Sequence, residues 1–168
     1  MIIKDIGVVN FYSGIECATS NIFISNTSIS RCYFGVTIGS DTKLFNLSVW
    51  DVAIGLQING SLTSTNGLRG DSIGEHLVQI NAGGNHTLTD LDADFCMKSI
   101  VCIGGSVSDL NINGVHGRAS ASHLFNVNTE PEITAKDIMI GTECDYGVIS
   151  IKENCTLNGA IIITNQRH

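Results

Sequence analysis

One short pattern recurs along the chain: an apolar residue, a polar or small one, an apolar one, then Gly, Asn, Ser or Lys. It reads Ile15-Glu16-Cys17, Val36-Thr37-Ile38, Leu56-Gln57-Ile58, Val78-Gln79-Ile80, Val101-Cys102-Ile103, Phe125-Asn126-Val127 and Ile149-Ser150-Ile151. The first positions of successive copies lie 21, 20, 22, 23, 24 and 24 residues apart. Alternation within each copy predicts a strand with its flanking residues inward and its middle residue outward. A second apolar row lies about half a turn upstream: Ile24, Leu47, Leu68, Leu91, then Leu110 or Ile112, and Ile138. Turn residues follow the first row at Gly39-Ser40, Asn59-Gly60, Asn81 to Gly84 and Gly104-Gly105.

A period of roughly 22 residues defines a repeat architecture, in which no single turn can bury its own apolar face. Stacking supplies the burial, and each fully buried Val, Leu or Ile then contributes on the order of 1.5–3 kcal/mol. The expected fold is an all-β parallel β-helix of about seven turns forming one domain over residues 1–168. A hexapeptide helix would need a six-residue period, which is missing. Leu88 to Cys96 resembles a leucine-rich repeat core, but it does not recur and no segment reads as the helix such repeats require.

Composition agrees. Apolar residues make up 43% and charged residues only 15%, while Gly (18), Asn, Ser and Thr supply the turns. The net charge of −7 argues against nucleic acid as a partner. No apolar stretch reaches the roughly 20 residues of a membrane-spanning helix, so membrane insertion is not expected. The chain starts within the repeat pattern, which predicts a segment of a longer protein. Six cysteines, at 17, 32, 96, 102, 144 and 155, contain no CxxC pair and read as free, buried thiols. Neither a metal site nor a cofactor is indicated.

The turns SNIFISNTSISRCYFGVTIGSDT and KLFNLSVWDVAIGLQINGS resemble right-handed β-helices of the pectate-lyase-like superfamily. Within it, the low charge, the abundant Asn, Ser and Thr and the unpaired cysteines are most similar to bacteriophage tailspike proteins. That resemblance implies a homotrimer on a virion tail that binds, and usually cleaves, bacterial surface polysaccharide such as capsule or O-antigen. It is a resemblance of texture and carries over no catalytic residue.

Because the interior is packed, any ligand must use outward rows, whose members sit about 4.8 Å apart on neighbouring turns. Counting three residues past the upstream anchors places Thr27, Trp50, Asp71 and Asp94 in one row; counting one places Ser25, Ser48, Arg69 and Asp92 in another. One surface then carries the single tryptophan, two stacked aspartates and an Arg-Asp pair. The indole suits the apolar face of a pyranose, and Asp71, Asp94 and Asp92 are candidate catalytic carboxylates, acting as acid and base at a glycosidic bond. Trp50 and Arg69, with Gln57 and Gln79 from the middle-residue row, are candidate substrate-binding residues. The bland alternative is a solubilised sheet surface with Trp50 covered by a neighbouring subunit.

Two histidines, His76 and His123, share a phase two residues before their anchors, with Ser99 between, and read as solvated or turn-bonding groups. The Asn-x-Ser/Thr triplets at Asn26, Asn46, Asn59, Asn85 and Asn154 are expected by chance in this composition. Three functions stay open: a tailspike segment with a carbohydrate site (a glycoside hydrolase before a lyase), a non-catalytic shaft or adhesin, and a free-standing pectinase-like enzyme.

Overall fold

In the computed structural model, residues 1–104, 107–118, 123–127, 138–144, 149–151 and 161–164 are described, with side chains as far as Ile112 apart from Phe95, Ser108 and Asp109. Fourteen strands follow in order: β1 (Ile2–Lys4), β2 (Gly7–Val9), β3 (Ser13–Cys17), β4 (Ile22–Ser30), β5 (Phe34–Ile38), β6 (Thr42–Ile58), β7 (Ser64–Ile80), β8 (Gly83–Cys96), β9 (Ser99–Ile103), β10 (Val107–Arg118), β11 (His123–Val127), β12 (Ile138–Cys144), β13 (Ile149–Ile151) and β14 (Ile161–Thr164). Every pairing is parallel and joins one turn to the next. The protein is a parallel β-helix, with about five turns as far as Ile112.

All seven copies of the sequence pattern fall on one ladder, Ile15–Val36–Leu56–Val78–Val101–Phe125–Ile149. Each turn has three faces. The first carries Ile24, Leu44, Thr65, Leu88 and Ile112 in register. The second carries Thr27, Leu47, Leu68 and Leu91, and the third carries the seven-copy ladder.

The upstream row expected from hydropathy therefore merges two ladders. Ile24 belongs to the first face, whereas Leu47, Leu68 and Leu91 belong to the second, whose member in that turn is Thr27. The cause is the corner between them. Asn26 is left-handed (φ 50°), which breaks the simple alternation, so positions three apart, Ile24 and Thr27, are both buried. The rows counted from Ile24 slip with it: Ser30 and Ser28 stand where Thr27 and Ser25 were expected.

Corners of this kind recur. Left-handed residues form three columns: Asp5, Asn26, Asn46, Gly67 and Asp90; Asn10, Arg31, Asp51 and Ser72; and Asn21, Asp41, Leu62 and Asn85. Among the described residues, nine of the twelve non-glycine positions with positive φ are Asn or Asp, the side chains that tolerate this region best. At three corners the residue after the bend bonds back to the carbonyl before it. Thr27 Oγ1 donates to the Ser25 carbonyl (3.0 Å), Cys32 Sγ to Ser30 (3.3 Å) and Thr42 Oγ1 to Ser40 (3.2 Å). A hydroxyl or thiol can thus face the core and still be satisfied.

Side-chain volume is exchanged across the interior from turn to turn. In the ladder Ile29–Val49–Gly70–Ala93 two branched residues give way to two small ones along the axis. The opposed positions grow: Gly35 and Gly55 give way to Leu77 and Ile100, both fully buried. A Cβ on Gly55 would lie 3.0 Å from Val49 Cγ2 and 2.6 Å from the Leu77 carbonyl, and one on Gly70 would overlap Leu77 Cδ1. One extra residue between Ile73 and His76, where the pairing with Val52 and Ile54 shifts, accompanies the change.

The core also holds the hydroxyls of Thr63 and Thr65, which have no partner, and the buried ring of His86, which has at most the Ala82 backbone beside it. Thr65 is flanked in its ladder by Leu44 and Leu88. Thr65→Val is therefore expected to raise stability by about 1 kcal/mol, because it removes a hydroxyl that is buried and unbonded. Gly70→Val is expected to lower it by about 1–3 kcal/mol through overlap with Leu77. Urea unfolding of the two variants checks both directions.

Candidate functional site

The second face alternates cleanly. Val49, Gly70 and Ala93 are buried, and their neighbours on either side stand outward: Ser48 and Trp50, Arg69 and Asp71, Asp92 and Asp94. Register places Trp50 beside Asp71 and Asp71 beside Asp94, with Arg118 next along the backbone ladder. Ser48, Arg69 and Asp92 form the parallel outward row. Trp50 is 42% exposed, and Asp71 accepts a hydrogen bond from Ser72 Oγ (3.0 Å).

Arg69 and Asp92 meet as an ion pair, with Nη2 and Nε each 3.0 Å from Oδ2. Both groups keep contact with solvent, so the pair adds at most about 1 kcal/mol to stability. Its effect on the surface is larger. It ties Arg69 to Asp92, while Asp71 and Asp94 stand in the adjoining row.

A recess of about 250 Å³ opens next to this pair. In the turns below, the corner column is closed by side chains: Asn26 Nδ2 donates to Asp5 Oδ1 (3.1 Å), and Asn46 Nδ2 donates to Asn26 Oδ1 (2.9 Å). Gly67 (φ 73°) interrupts that ladder. With no side chain there, the space between Asn46 and Asp90 stays open, walled by Ser48, Arg69 and Asp92.

Around the second corner lies a strip that the sequence reading missed. Tyr12 and Tyr33 stack with centroids 5.4 Å apart and planes 7° from parallel, and Phe34 meets both edge-on. Tyr33 Oη donates to Glu75 Oε1 (3.4 Å), and Glu75 binds Lys98 (2.8 Å). The Lys98 ammonium holds the Glu75 carboxyl below its ordinary range, and Glu75 in turn pushes the Tyr33 phenol up. The signal was present: Tyr12, Tyr33, Ala53, Glu75 and Lys98 all stand three residues before a first-row anchor. Exposed aromatic residues (Phe11, Tyr12, Tyr33, Trp50) therefore occupy the lower turns at this corner, and carboxylates (Asp71, Glu75, Asp94) the upper ones.

Gln57 and Gln79 are in register with each other but lie on the third face, around a corner from Trp50. There they join an amide cluster: Gln79 Nε2 donates to Asn81 Oδ1 (2.9 Å), and Asn81 Nδ2 to Asn59 Oδ1 (2.8 Å). Their row, Glu16–Thr37–Gln57–Gln79–Cys102–Asn126–Ser150, keeps the expected register. Cys102 is only 2% exposed, so this row is covered at that turn, and the side chains of Asn126 and Ser150 lie outside the described residues. Cys17, Cys32 and Cys96 are free and buried, and burial pushes the Cys96 thiol up to about 11.

His76 is buried and shares a 2.7 Å hydrogen bond with Ser99 on the next turn. It bonds from turn to turn, as one of the two expected readings had it, but it is not solvated. The buried Ser99 hydroxyl is closed to substrate, and among the described residues no group of three His, Cys, Asp or Glu is placed to hold a metal. No family model matches the chain, and neither a curated protein nor a solved structure matches it significantly.

Burial lowers the proton affinity of His76 and His86; at His76 the Glu75 carboxylate opposes it, at His86 the Ala82 backbone. Below the ordinary histidine value near ~6.5, the unfolded chain then binds more protons than the folded one. Stability is expected to be level above that pH and to fall as pH drops towards ~4.5, before most carboxylates titrate. Thermal melts across this window check it, with His86→Leu reducing the slope.

Proposed function

We propose that this chain is a carbohydrate-recognising β-helix of the tailspike kind, which holds a bacterial surface polysaccharide on its second face. The observation that carries the reading is the exposed Trp50–Asp71–Asp94 ladder beside the Arg69–Asp92 pair. The indole offers an apolar platform for a sugar ring, the carboxylates accept hydrogen bonds from its hydroxyls, and the recess at Gly67 takes a substituent. Tyr12 and Tyr33 extend the aromatic surface around the corner. In this reading the chain assembles as a homotrimer on a virion tail, in keeping with the sequence texture and the exposed aromatic residues.

Hydrolysis is the second reading, favoured by one observation. Asp71 and Asp94 lie on adjacent rungs, and a strand spacing of about 4.8 Å is near the carboxyl separation of about 5–5.5 Å used by retaining glycosidases. Asp92, neutralised by Arg69, fits a positioning role better than a catalytic one. Arg69 is likewise committed to Asp92, which disfavours a lyase that would need it against a uronate.

Binding to capsule and O-antigen glycans immobilised on an array, with mass by light scattering, tests the proposal. Trp50→Ala is expected to weaken binding at least about tenfold, the loss of one stacked ring contact. Asp71→Asn and Asp94→Asn are each expected to abolish any reducing-end release while leaving the fold intact. A monomer that binds no glycan would remove the proposal.

A further inference from the structure

The third corner carries a groove of about 330 Å³ that crosses successive turns and lies away from the second face. Two features mark it. Leu62 occupies a left-handed position (φ 60°) that the neighbouring turns fill with Asn21, Asp41 and Asn85. A branched apolar side chain is poorly suited to that backbone region, and here it gains nothing from the core, being 52% exposed. The second feature is the bond that should follow the bend. Thr42 returns its hydroxyl to the carbonyl before Asp41, whereas Thr63, one turn on, has no partner for its buried Oγ1. The corner at Leu62 thus lacks the bond that closes the Asp41 corner while presenting an apolar surface to solvent.

What surrounds that surface is polar and balanced. Asp41 provides a carboxylate, Lys43 an ammonium, and Asn85 and Thr87 groups that both donate and accept; all line the groove. Opposite charges cancel, so the site has no net preference for an ion. None of the lining residues is aromatic, which disfavours a nucleobase. The volume is at the lower end for small-molecule sites, enough for one ring.

We propose that this groove binds a single neutral pyranose, its apolar face on Leu62 and its hydroxyls on Asp41, Lys43, Asn85 and Thr87. The site does not rest on the reading of the second face. If the chain grips a glycan there, this groove is a second point of attachment; if it does not, the groove stands alone.

The test is titration of the full 15N-labelled chain with methyl glucopyranoside, methyl galactopyranoside and N-acetylglucosamine, with glucuronate and glucose 6-phosphate as charged comparisons. At least one neutral sugar is expected to give saturable amide shifts at Leu62, Ser64, Asn85 and Thr87. In Leu62→Asn that affinity is expected to fall about tenfold, as one apolar contact is lost. The same variant is expected to unfold at a higher urea concentration, because the corner gains a tolerated residue. The proposal is overturned if no neutral sugar shifts these amides, if the charged sugars bind more tightly, or if Leu62→Asn binds unchanged. A lower urea midpoint for Leu62→Asn also overturns it, since Leu62 would then serve the fold. Shifts confined to Trp50, Asp71 and Asp94 would sink this site while supporting the second face.

Discussion

A chain that climbs one interstrand spacing per circuit of about 21 residues must bend sharply several times in each circuit, with almost no residues to spend on loops. Here the bends are made by single residues in the left-handed region, stacked in columns from turn to turn. Such a bend is short enough to keep both flanking strands in the ladder, which is why β6 and β7 run unbroken as hydrogen-bonded segments through two corners. The columns also sustain themselves. Asn46 bonds Asn26, Asn26 bonds Asp5, and the residue after a bend can return a hydroxyl or thiol to the carbonyl before it.

Fixed corners leave the interior little freedom to adjust, so volume has to balance within it. Val49 against Gly55 and Gly70 against Leu77 fill the same space in opposite ways. A solenoid tolerates this because only the total across the core must stay constant, not the residue at any one rung. The polar groups of Thr63, Thr65 and His86 are the exception, gathered on the first face near the third corner. That face contributes less to stability than its burial suggests, because each unbonded hydroxyl offsets part of what the leucines around it contribute.

Much of the fold was legible because the third face obeys a simple rule: both flanking positions of each copy are apolar, and seven copies fall in one register. The second row was misread for a physical reason. Hydropathy cannot see a left-handed bend, and the rung that would have fixed the phase is Thr27, a polar residue made safe in the core by its bond to Ser25. The error did not reach Trp50, Asp71 and Asp94, since the anchors behind them, Leu47, Leu68 and Leu91, do belong together. The corners themselves were written in the sequence as Asn and Asp recurring about every 21 residues. Three Asn-x-Ser/Thr triplets mark them: Asn26, Asn46 and Asn85 are bends, and the Ser or Thr that follows lies on the next face of the same strand.

Position along the axis, more than any local motif, decides what the outer surface can do. Each outward row samples one phase of the repeat, so residues some 20 positions apart become neighbours while sequence neighbours point to different faces. The pairing of Tyr33 with Glu75, 42 residues away, passes over Ala53 because that rung has too little side chain to intervene. The recess at Gly67 has the same origin: a small residue at one rung exposes the groups above and below it. In a solenoid with a full core, recesses on the ladders come from such omissions, and their chemistry is set by the two turns that flank the gap. At Gly67 those turns supply an amide and carboxylates beside an arginine already neutralised, a set that can exchange hydrogen bonds with hydroxyls without demanding a charged ligand.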